Sequence, residues 1–368
     1  MNILFFMSKF YTFSQGGMEK YVFNLIHKLK GKHKIVLLLP DKYNIDIPQV
    51  KIYNFLNPPK KISGPLITFL SLMFQTIRIL TKEKIEVIST WIPSASSSIV
   101  HLISRSLHRK VLTNIRGVYE KESRLYLLFA DLNLIFSDKI IINSRDFVER
   151  YIAQSFLPGN YLRGKEWVYI PNAINFNYWN APDEEKIYDL VFVGYIHNPP
   201  RIINKGFDTL VKAVHIVQCR EATNLNVLVI GEYDWPLIQK LENFNANNFK
   251  FVGHIKNRRQ IMQYLKQSKI FVLSSRTEGM PNALMEALTL GCSCIATKVG
   301  AVQELIENEK TGVLIPPNDP ESLALAIIKL IRDENYRRKL GQDGREFMKK
   351  SFSWEQTMRT IEYFYKKV

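Results

Sequence analysis

Apolar runs and helical periodicities alternate along the chain from its first residues. Residues 3–7 and 35–39 are continuous apolar runs, as is typical of strands buried on both faces of a sheet. Between these runs, apolar residues recur at the spacing of one helix face: Met18, Tyr21, Val22, Leu25, Ile26 and Leu29. The order strand, helix, strand predicts parallel pairing with a right-handed crossover.

The same alternation begins again in the second half of the chain. Apolar runs recur at residues 190–194, 227–231, 249–253, 270–273, 294–296 and 313–315, with helical patterns between them. Two series of this kind predict an α/β fold of two Rossmann-like domains that face each other across a ligand cleft. The polar segment of residues 172–186, which contains Pro182, is the predicted linker.

Residues 66–80 are predicted to form a helix with an unusually narrow polar stripe, made by Thr68, Ser71, Gln75 and Arg78. A helix of this length spans about 22 Å, which is too short to cross a bilayer, and we find no apolar stretch of the roughly 20 residues that a span requires. Two interpretations are open. The helix packs in the core, or part of its apolar face dips into a lipid surface beside Lys60, Lys61, Lys82 and Lys84.

The charge of the chain is unevenly distributed. With 46% hydrophobic and 23% charged residues among 368, the chain is not disordered. Its net charge is +16, and residues 1–180 carry +12 of that. Such an excess suggests an anionic partner, either a membrane surface or nucleic acid, unless it is only a solvated basic surface. Because no RNA-recognition or zinc-finger signature is present, we expect an anionic membrane surface and no nucleic acid.

The cysteines argue for a reducing compartment. Cys219, Cys292 and Cys294 are too few for a disulfide framework or a four-ligand zinc site. We therefore expect a cytoplasmic protein, peripheral on the inner face of the cell membrane. Cys292 and Cys294 lie in a predicted strand and are expected in the core.

The densest chemical information lies in residues 274–288. A buried strand ends at Leu273, and Pro281 is the expected first residue of a helix, because proline suits that position. The free amides and the dipole at such a helix start form an anion site that suits a diphosphate. Glu278 precedes the helix, where a carboxylate can accept hydrogen bonds from sugar hydroxyls. Glu286 lies about one turn inside it, where it can accept a pair of ribose hydroxyls.

At this point the chain resembles a known family, the family-4 retaining glycosyltransferases of GT-B architecture. These enzymes carry two glutamates separated by seven residues, as Glu278 and Glu286 are. The resemblance extends over nearly the whole chain through an ordered set of motifs: Gly16-Gly17-Met18-Glu19, Ile170-Pro171-Asn172-Ala173, Lys205-Gly206, Val299-Gly300-Ala301, Thr311-Gly312-Val313 and Phe352-Ser353-Trp354.

The resemblance implies a two-domain enzyme and an activity. Residues 1–175 are expected to bind the acceptor and residues 176–353 the nucleotide sugar, with a final helix at about 354–368 packed back on the first domain. The enzyme would move a hexose or N-acetylhexosamine from a nucleoside diphosphate sugar, with UDP favoured and GDP possible, to a lipid-linked or surface-polysaccharide acceptor, for example of lipopolysaccharide. It would need neither metal nor cofactor.

The resemblance also implies roles for single residues. Glu278 contacts the donor sugar, Glu286 the ribose, and Lys205 the diphosphate. The other expected donor-binding residues are Gly16, Gly17, Gly279, Met280, Pro281, Asn282 and Ala283. Plain structural interpretations stay open: a surface lysine for Lys205, a simple turn for Gly16-Gly17, and a solvent-facing helix residue for Glu286.

Two departures from the family pattern affect the predicted cations. Many members carry arginine where this chain has Tyr195, and Arg201 is a candidate substitute for that cation. The stretch that often holds a histidine near the reacting carbon has none here, so Arg116 is predicted either to face the leaving phosphate or acceptor or to be structural. A nucleotide-sugar epimerase of similar fold and a nucleic-acid-binding protein are the alternative functions.

Overall fold

In the computed structural model, residues 1–8, 17–41, 43, 45–57, 64–91, 93–116 and 124–367 are described; for residues 17–20 and 366 this concerns the backbone alone. The chain divides into two units. Unit 1 comprises Met1–Pro171 together with Met358–Val368, and unit 2 comprises Asn172–Thr357. The boundary therefore lies four residues before the one expected from the sequence.

Unit 1 is built on a seven-stranded parallel sheet in the order β3-β2-β1-β4-β5-β6-β7. Its strands are β1 (Asn2–Met7), β2 (Lys34–Pro40), β3 (Lys51–Phe55), β4 (Val87–Trp91), β5 (Lys110–Ile115), β6 (Lys139–Ile142) and β7 (Trp167–Tyr169). Its helices are α1 (Gly17–Leu29), α2 (Gly64–Lys82), α3 (Ala95–Ser106), α4 (Arg124–Phe136), α5 (Phe147–Ile152) and α6 (Gly159–Arg163). The central strand β1 pairs Ile3 with Ile35 of β2 and with Val87 of β4, and its apolar run is buried on both faces.

Helix α2 corrects one expectation from the sequence. It has 19 residues rather than the 15 predicted, and within the described part of the chain it is the one helix long and apolar enough to cross a membrane by length and composition. The added residues are Gly64 and Pro65 at its start and Thr81 and Lys82 at its end, where the Thr81 hydroxyl donates to the Ile77 carbonyl at 2.9 Å. One side of α2, including Leu72, Ile79 and Leu80, is buried in the core of unit 1.

Unit 2 has a six-stranded parallel sheet in the order β10-β9-β8-β11-β12-β13. The strands are β8 (Tyr188–Val193), β9 (Val227–Ile230), β10 (Phe249–Phe251), β11 (Ser268–Leu273), β12 (Ser293–Thr297) and β13 (Val313–Ile315). The helices are α7 (Pro199–Asn204), α8 (Phe207–Glu221), α9 (Trp235–Ile238), α10 (Arg258–Lys266), α11 (Asn282–Thr289), α12 (Val302–Leu305), α13 (Pro320–Arg332) and α14 (Glu334–Phe352). Cys292 and Cys294 are buried in its core, as expected.

Helix α15 (Trp354–Lys366) ends the chain, and its residues from Met358 onward belong to unit 1. There the Lys32 ammonium lies 2.6 Å from a carboxylate oxygen of Glu362, and Phe364 and Tyr365 are buried.

The α/β class with two Rossmann-like units is the fold predicted from the alternation of strands and helices.

The segment of residues 172–186, expected as a linker, is instead part of unit 2. Ile174 forms a parallel bridge with Ser353, and Trp179 is 3% exposed in the core. The Lys186 ammonium donates to the carbonyl of Lys266 at 2.6 Å. Polar composition suggested a free segment, but buried apolar side chains and the hydrogen bonds of Lys186 fix it to unit 2.

Candidate functional site

A lysine and a glutamate form an ion pair where two neighbouring strands of unit 2 lead into their loops. Lys205 follows α7, which comes after β8, and Glu278 follows β11, the strand beside β8. Lys205 Nζ lies 2.7 Å from Glu278 Oε1, and the two side chains are 24% and 11% exposed. The Ser275 hydroxyl donates to the same oxygen at 2.7 Å. Both bonds are made to Oε1, and together they orient the carboxylate.

The backbone around Lys205 is fixed by a glycine. Gly206 has φ +62°, and a Cβ atom there would lie 1.8 Å from the Ser274 carbonyl oxygen. The Ser274 hydroxyl also donates to the Lys205 carbonyl at 3.2 Å. Only glycine permits both the left-handed conformation and this close approach. The loop that carries Lys205 therefore lies directly against the loop that carries Glu278.

A second glycine supports the loop from the other side. Gly300 has φ +50°, and a Cβ atom there would lie 2.0 Å from the Glu278 carbonyl oxygen. The next amide, that of Ala301, donates to the Gly279 carbonyl at 2.9 Å. The backbone of Glu278 and Gly279 thus lies directly against the loop of Gly300 and Ala301.

Helix α11 begins one residue later than the sequence predicts. Asn282 is its first residue, and Pro281, expected in that place, is the N-cap with a φ of −73° and a ψ of 114°. Proline has no side-chain acceptor for the helix amides, so they are not capped by it. Met280 and Pro281 are buried, so we expect any contribution they make to ligand binding to come from the backbone.

Asn172 holds the turn that leads into α11. Its side-chain amide donates to the Met280 carbonyl at 3.2 Å and to Oδ1 of Asn282 at 3.4 Å. Its backbone N–H points at the Met280 sulfur, 3.1 Å away. Asn172 is 7% exposed, so these bonds are made away from water.

Glu286 and Arg201 flank this arrangement. Glu286 is half-buried, four residues inside α11, whereas Glu278 lies in the loop four residues before the helix begins. Arg201 is exposed in α7, and its carbonyl accepts the Lys205 backbone N–H at 2.9 Å. Arg201 therefore lies one helical turn before Lys205, and its part as the second cation stays a prediction.

Tyr195 pairs with a histidine. Its hydroxyl lies 3.1 Å from Nδ1 of His254, and the two rings stack with centroids 5.8 Å apart. Burial, with a smaller contribution from the Glu232 carboxylate, raises the pKa of Tyr195. The phenol stays neutral, so this position offers a hydrogen bond and no positive charge.

Of the predicted site residues, three belong to unit 1. Gly16 lies outside the described residues, and Gly17 is the first residue of α1. Arg116 follows β5, and its guanidinium carbon lies 3.7 Å from the ring centroid of Tyr21 and 5.1 Å from that of Trp91. Burial lowers the pKa of Arg116, and the nearby Tyr21 acts in the opposite direction. The aromatic rings hold this cation at the carboxyl edge of the first sheet.

A model of the family described as glycosyl transferases group 1 matches residues 189–347. The match includes Lys205, Glu278 and the whole of α11. Unit 2 belongs to the glycosyl transferases group 1 family. The glycosyltransferase assignment agrees with the resemblance found from the glutamate pair and its accompanying motifs.

Known proteins are similar to this chain over a longer range. An uncharacterized glycosyltransferase of Methanocaldococcus jannaschii is 27% identical, over 96% of this chain and 95% of its own. The capsular polysaccharide biosynthesis glycosyltransferase CapM of Staphylococcus aureus is 26% identical, over 53% of this chain and 52% of its own. The structure of HepE from Anabaena in complex with UDP covers all of both chains with a TM-score of 0.78 at 17% identity. The fold of this glycosyltransferase is therefore GT-B.

Three residues of the arrangement in this glycosyltransferase were not predicted as site residues from the sequence: Asn172, His254 and Ser275. Ser275 had a local signal, because it precedes Glu278 by three residues, within reach of its side chain. Asn172 had only its place in the motif of residues 170–173, and His254 had no signal, since their partners lie far along the chain, at Met280 and Tyr195.

Proposed function

We propose that this glycosyltransferase is a retaining enzyme that uses a nucleoside diphosphate sugar. It transfers a hexose or N-acetylhexosamine to a lipid-linked or surface-polysaccharide acceptor. One observation carries the proposal, namely the ion pair of Lys205 and Glu278 beside the start of α11. It brings a cation and helix-start amides, which suit a diphosphate, next to a carboxylate, which suits sugar hydroxyls.

The main task of the site is to stabilise the leaving diphosphate. Negative charge grows on its oxygens as the bond to the sugar breaks. Lys205 and the backbone N–H groups of Gly279, Met280, Asn282 and Ala283 are positioned to stabilise that charge, since Pro281 has no N–H to offer. One such donor is typically worth about 3–4 kcal/mol. We propose no metal or other cofactor for this step, because these groups supply positive charge, with Arg201 and Arg116 as further candidates.

The acceptor attacks from the same side as the departing phosphate. Its hydroxyl oxygen forms the new bond to the anomeric carbon while the bond from that carbon to the phosphate oxygen breaks. The hydroxyl proton passes to the phosphate oxygen that leaves. Glu278 orients the sugar through its hydroxyls, and Glu286 accepts the ribose hydroxyls. Configuration at the anomeric carbon is retained by this front-face path.

UDP is the favoured nucleotide and GDP the alternative. HepE, which shares the fold, binds UDP, and that supports the choice. The proposed acceptor rests on the charge of the first half of the chain and on the similarity to CapM. Residues 1–180 carry a net charge of +12, which favours an anionic or lipid-linked acceptor at a membrane surface. CapM is a capsular polysaccharide glycosyltransferase, which supports a surface-polysaccharide product.

A panel of UDP- and GDP-sugars tests the proposal. Thermal shift identifies the nucleotide sugar that stabilises the protein, and hydrolysis of that donor is then measured with and without lipid-linked acceptors. We expect a UDP-sugar to be consumed and its sugar to appear on the acceptor with retained configuration. A donor that is converted to an isomeric sugar without any acceptor would instead identify an epimerase. If no nucleotide sugar stabilises the protein and none is consumed, the proposal is wrong.

A further inference from the structure

Large apolar side chains stand exposed along α2 of unit 1. They are Leu66, Ile67, Phe69, Leu70, Phe74 and Ile77. Phe74 is 65% exposed and Leu66 is 60% exposed, while Leu72, Ile79 and Leu80 on the opposite side of the helix are buried in the core. A soluble helix normally presents polar residues on its outer side, so this apolar side is unusual.

The two helices that follow continue the apolar surface. Helix α3 packs against both α2 and α4. Leu102 is exposed on α3, and Leu125, Leu128 and Ile135 are exposed on α4. We call the outward sides of α2, α3 and α4 the three-helix face. Its apolar residues come from three consecutive crossovers and form one layer over the sheet.

The charge of the three-helix face has one sign. Its helices contain the basic residues Arg78, Lys82, Arg105 and Arg124, of which Arg105 forms an ion pair of 2.6 Å with Asp138, just after α4. Their single acidic residue is Asp131, which is 2% exposed and turned inward. The Asp131 carboxylate accepts hydrogen bonds from the hydroxyls of Tyr151 and Ser155 and from the backbone N–H of Phe156. An incoming ligand therefore meets apolar side chains and the positive charges of Arg78, Lys82 and Arg124, with no exposed carboxylate from these helices.

We propose that the three-helix face docks flat on an anionic lipid bilayer. Apolar side chains enter the boundary between headgroups and acyl chains, and the basic residues contact the lipid phosphates. The helices lie on the membrane rather than cross it, since the inner side of α2 belongs to the core of unit 1. A second copy of the chain is a poorer occupant, because it would bring the same basic residues against one another. This docking proposal rests on the proposed function, because it names the membrane at which a lipid-linked acceptor would be reached.

Vesicle binding by the full chain tests the proposal, with phosphatidylcholine vesicles that contain or lack phosphatidylglycerol. We expect binding to the anionic vesicles, weaker at high salt, and loss of at least about tenfold in affinity when both Leu70→Asp and Phe74→Asp are introduced. Leu325→Asp is the matched control, because Leu325 lies on α13 and is 53% exposed, as Leu70 is 54% exposed. It should bind like the unchanged protein.

Substitutions on the other two helices test whether the face acts as a whole. Leu102→Asp and Leu125→Asp should each weaken binding to anionic vesicles severalfold. The three-helix proposal fails if the chain does not bind anionic vesicles or if only the α2 variants weaken binding. It also fails if Leu70→Asp instead dissociates a dimer. Donor hydrolysis is measured separately without vesicles. Vesicle binding by a chain that consumes no nucleotide sugar would refute the proposed function while leaving the docking face intact.

Discussion

Replacement of Glu278 by glutamine separates the chemistry of the site from its fold. Glu278→Gln keeps the size of the side chain and an oxygen that can accept the Ser275 hydroxyl. It removes the negative charge that pairs with Lys205 at 2.7 Å. A neutral amide is a weaker acceptor for sugar hydroxyls than a carboxylate. The substitution therefore changes the charge of the site with little change in its packing.

The structure sets the size of both expected effects. Turnover should fall at least about 100-fold, which corresponds to about 2.7 kcal/mol of lost transition-state stabilisation. The Lys205 and Glu278 side chains are 24% and 11% exposed, between a surface pair and a fully buried one. The free energy of unfolding should therefore fall by only about 1–2 kcal/mol, which lowers Tm by a few degrees. Lys205→Ala should lower turnover by at least the same factor.

The assay measures donor consumption and thermal unfolding on the same preparations. Lys212→Ala is the control, because Lys212 and Glu242 form an ion pair of the same 2.7 Å length on the surface of unit 2. Their side chains are 42% and 70% exposed, so loss of this pair should leave turnover within about twofold of the unchanged protein.

Two results would refute the reasoning. If Glu278→Gln and Lys205→Ala both fold and both retain full turnover, the ion pair is structural and the assignment of the site is wrong. If Lys212→Ala lowers turnover as strongly as Lys205→Ala does, the loss reflects general destabilisation rather than the position of the pair.

The remaining predictions concern the backbone, a positioning residue and pH. Gly206→Ala should cost about 2–4 kcal/mol in urea unfolding and lower turnover, since its Cβ would meet the Ser274 carbonyl; an unchanged urea midpoint would contradict this. Asn172→Ala should raise the KM for the donor severalfold by freeing the Met280 carbonyl, with Asn172→Gln less affected; equal KM values would exclude a positioning role. Burial lowers the pKa of His101 to about 3, so the folded state takes up its proton only near that pH while the unfolded state does so near 6.5. Stability should therefore fall by up to about 1.4 kcal/mol per pH unit as the pH drops below 6.5, and His101→Gln should flatten that slope in urea titrations.

The fold was largely predictable because it depends on local pattern. Continuous apolar runs such as residues 3–7 and 190–194 are strands β1 and β8, and the order of strands and helices gave two parallel sheets. The local pattern gave wrong predictions where tertiary contacts determine the structure of a segment. Residues 172–186 are polar like a linker, yet Trp179 anchors them in unit 2, and the ends of α2 lie beyond its predicted bounds.

The candidate site was predicted in composition and less well in geometry. Glu278, Glu286 and Lys205 were predicted as site residues because the order of the motifs can be read from the sequence. The direct bond between Lys205 and Glu278 was not, although both had been assigned separate contacts with a ligand. The outward sides of α3 and α4 escaped notice because an exposed leucine and a buried leucine look alike in a sequence.

The sequence by itself determined the two α/β units and predicted the residues of the candidate site, because hydrophobic periodicity and motif spacing are properties of the chain in order. Only the tertiary structure decided which distant residues meet: Gly206 against Ser274, Asn172 against Met280, and three helices that share one apolar surface. Such contacts depend on how the sheets bring remote segments together in space. Whether two remote residues come into contact depends on how whole helices and strands pack. The spacing of residues along the chain does not reveal it.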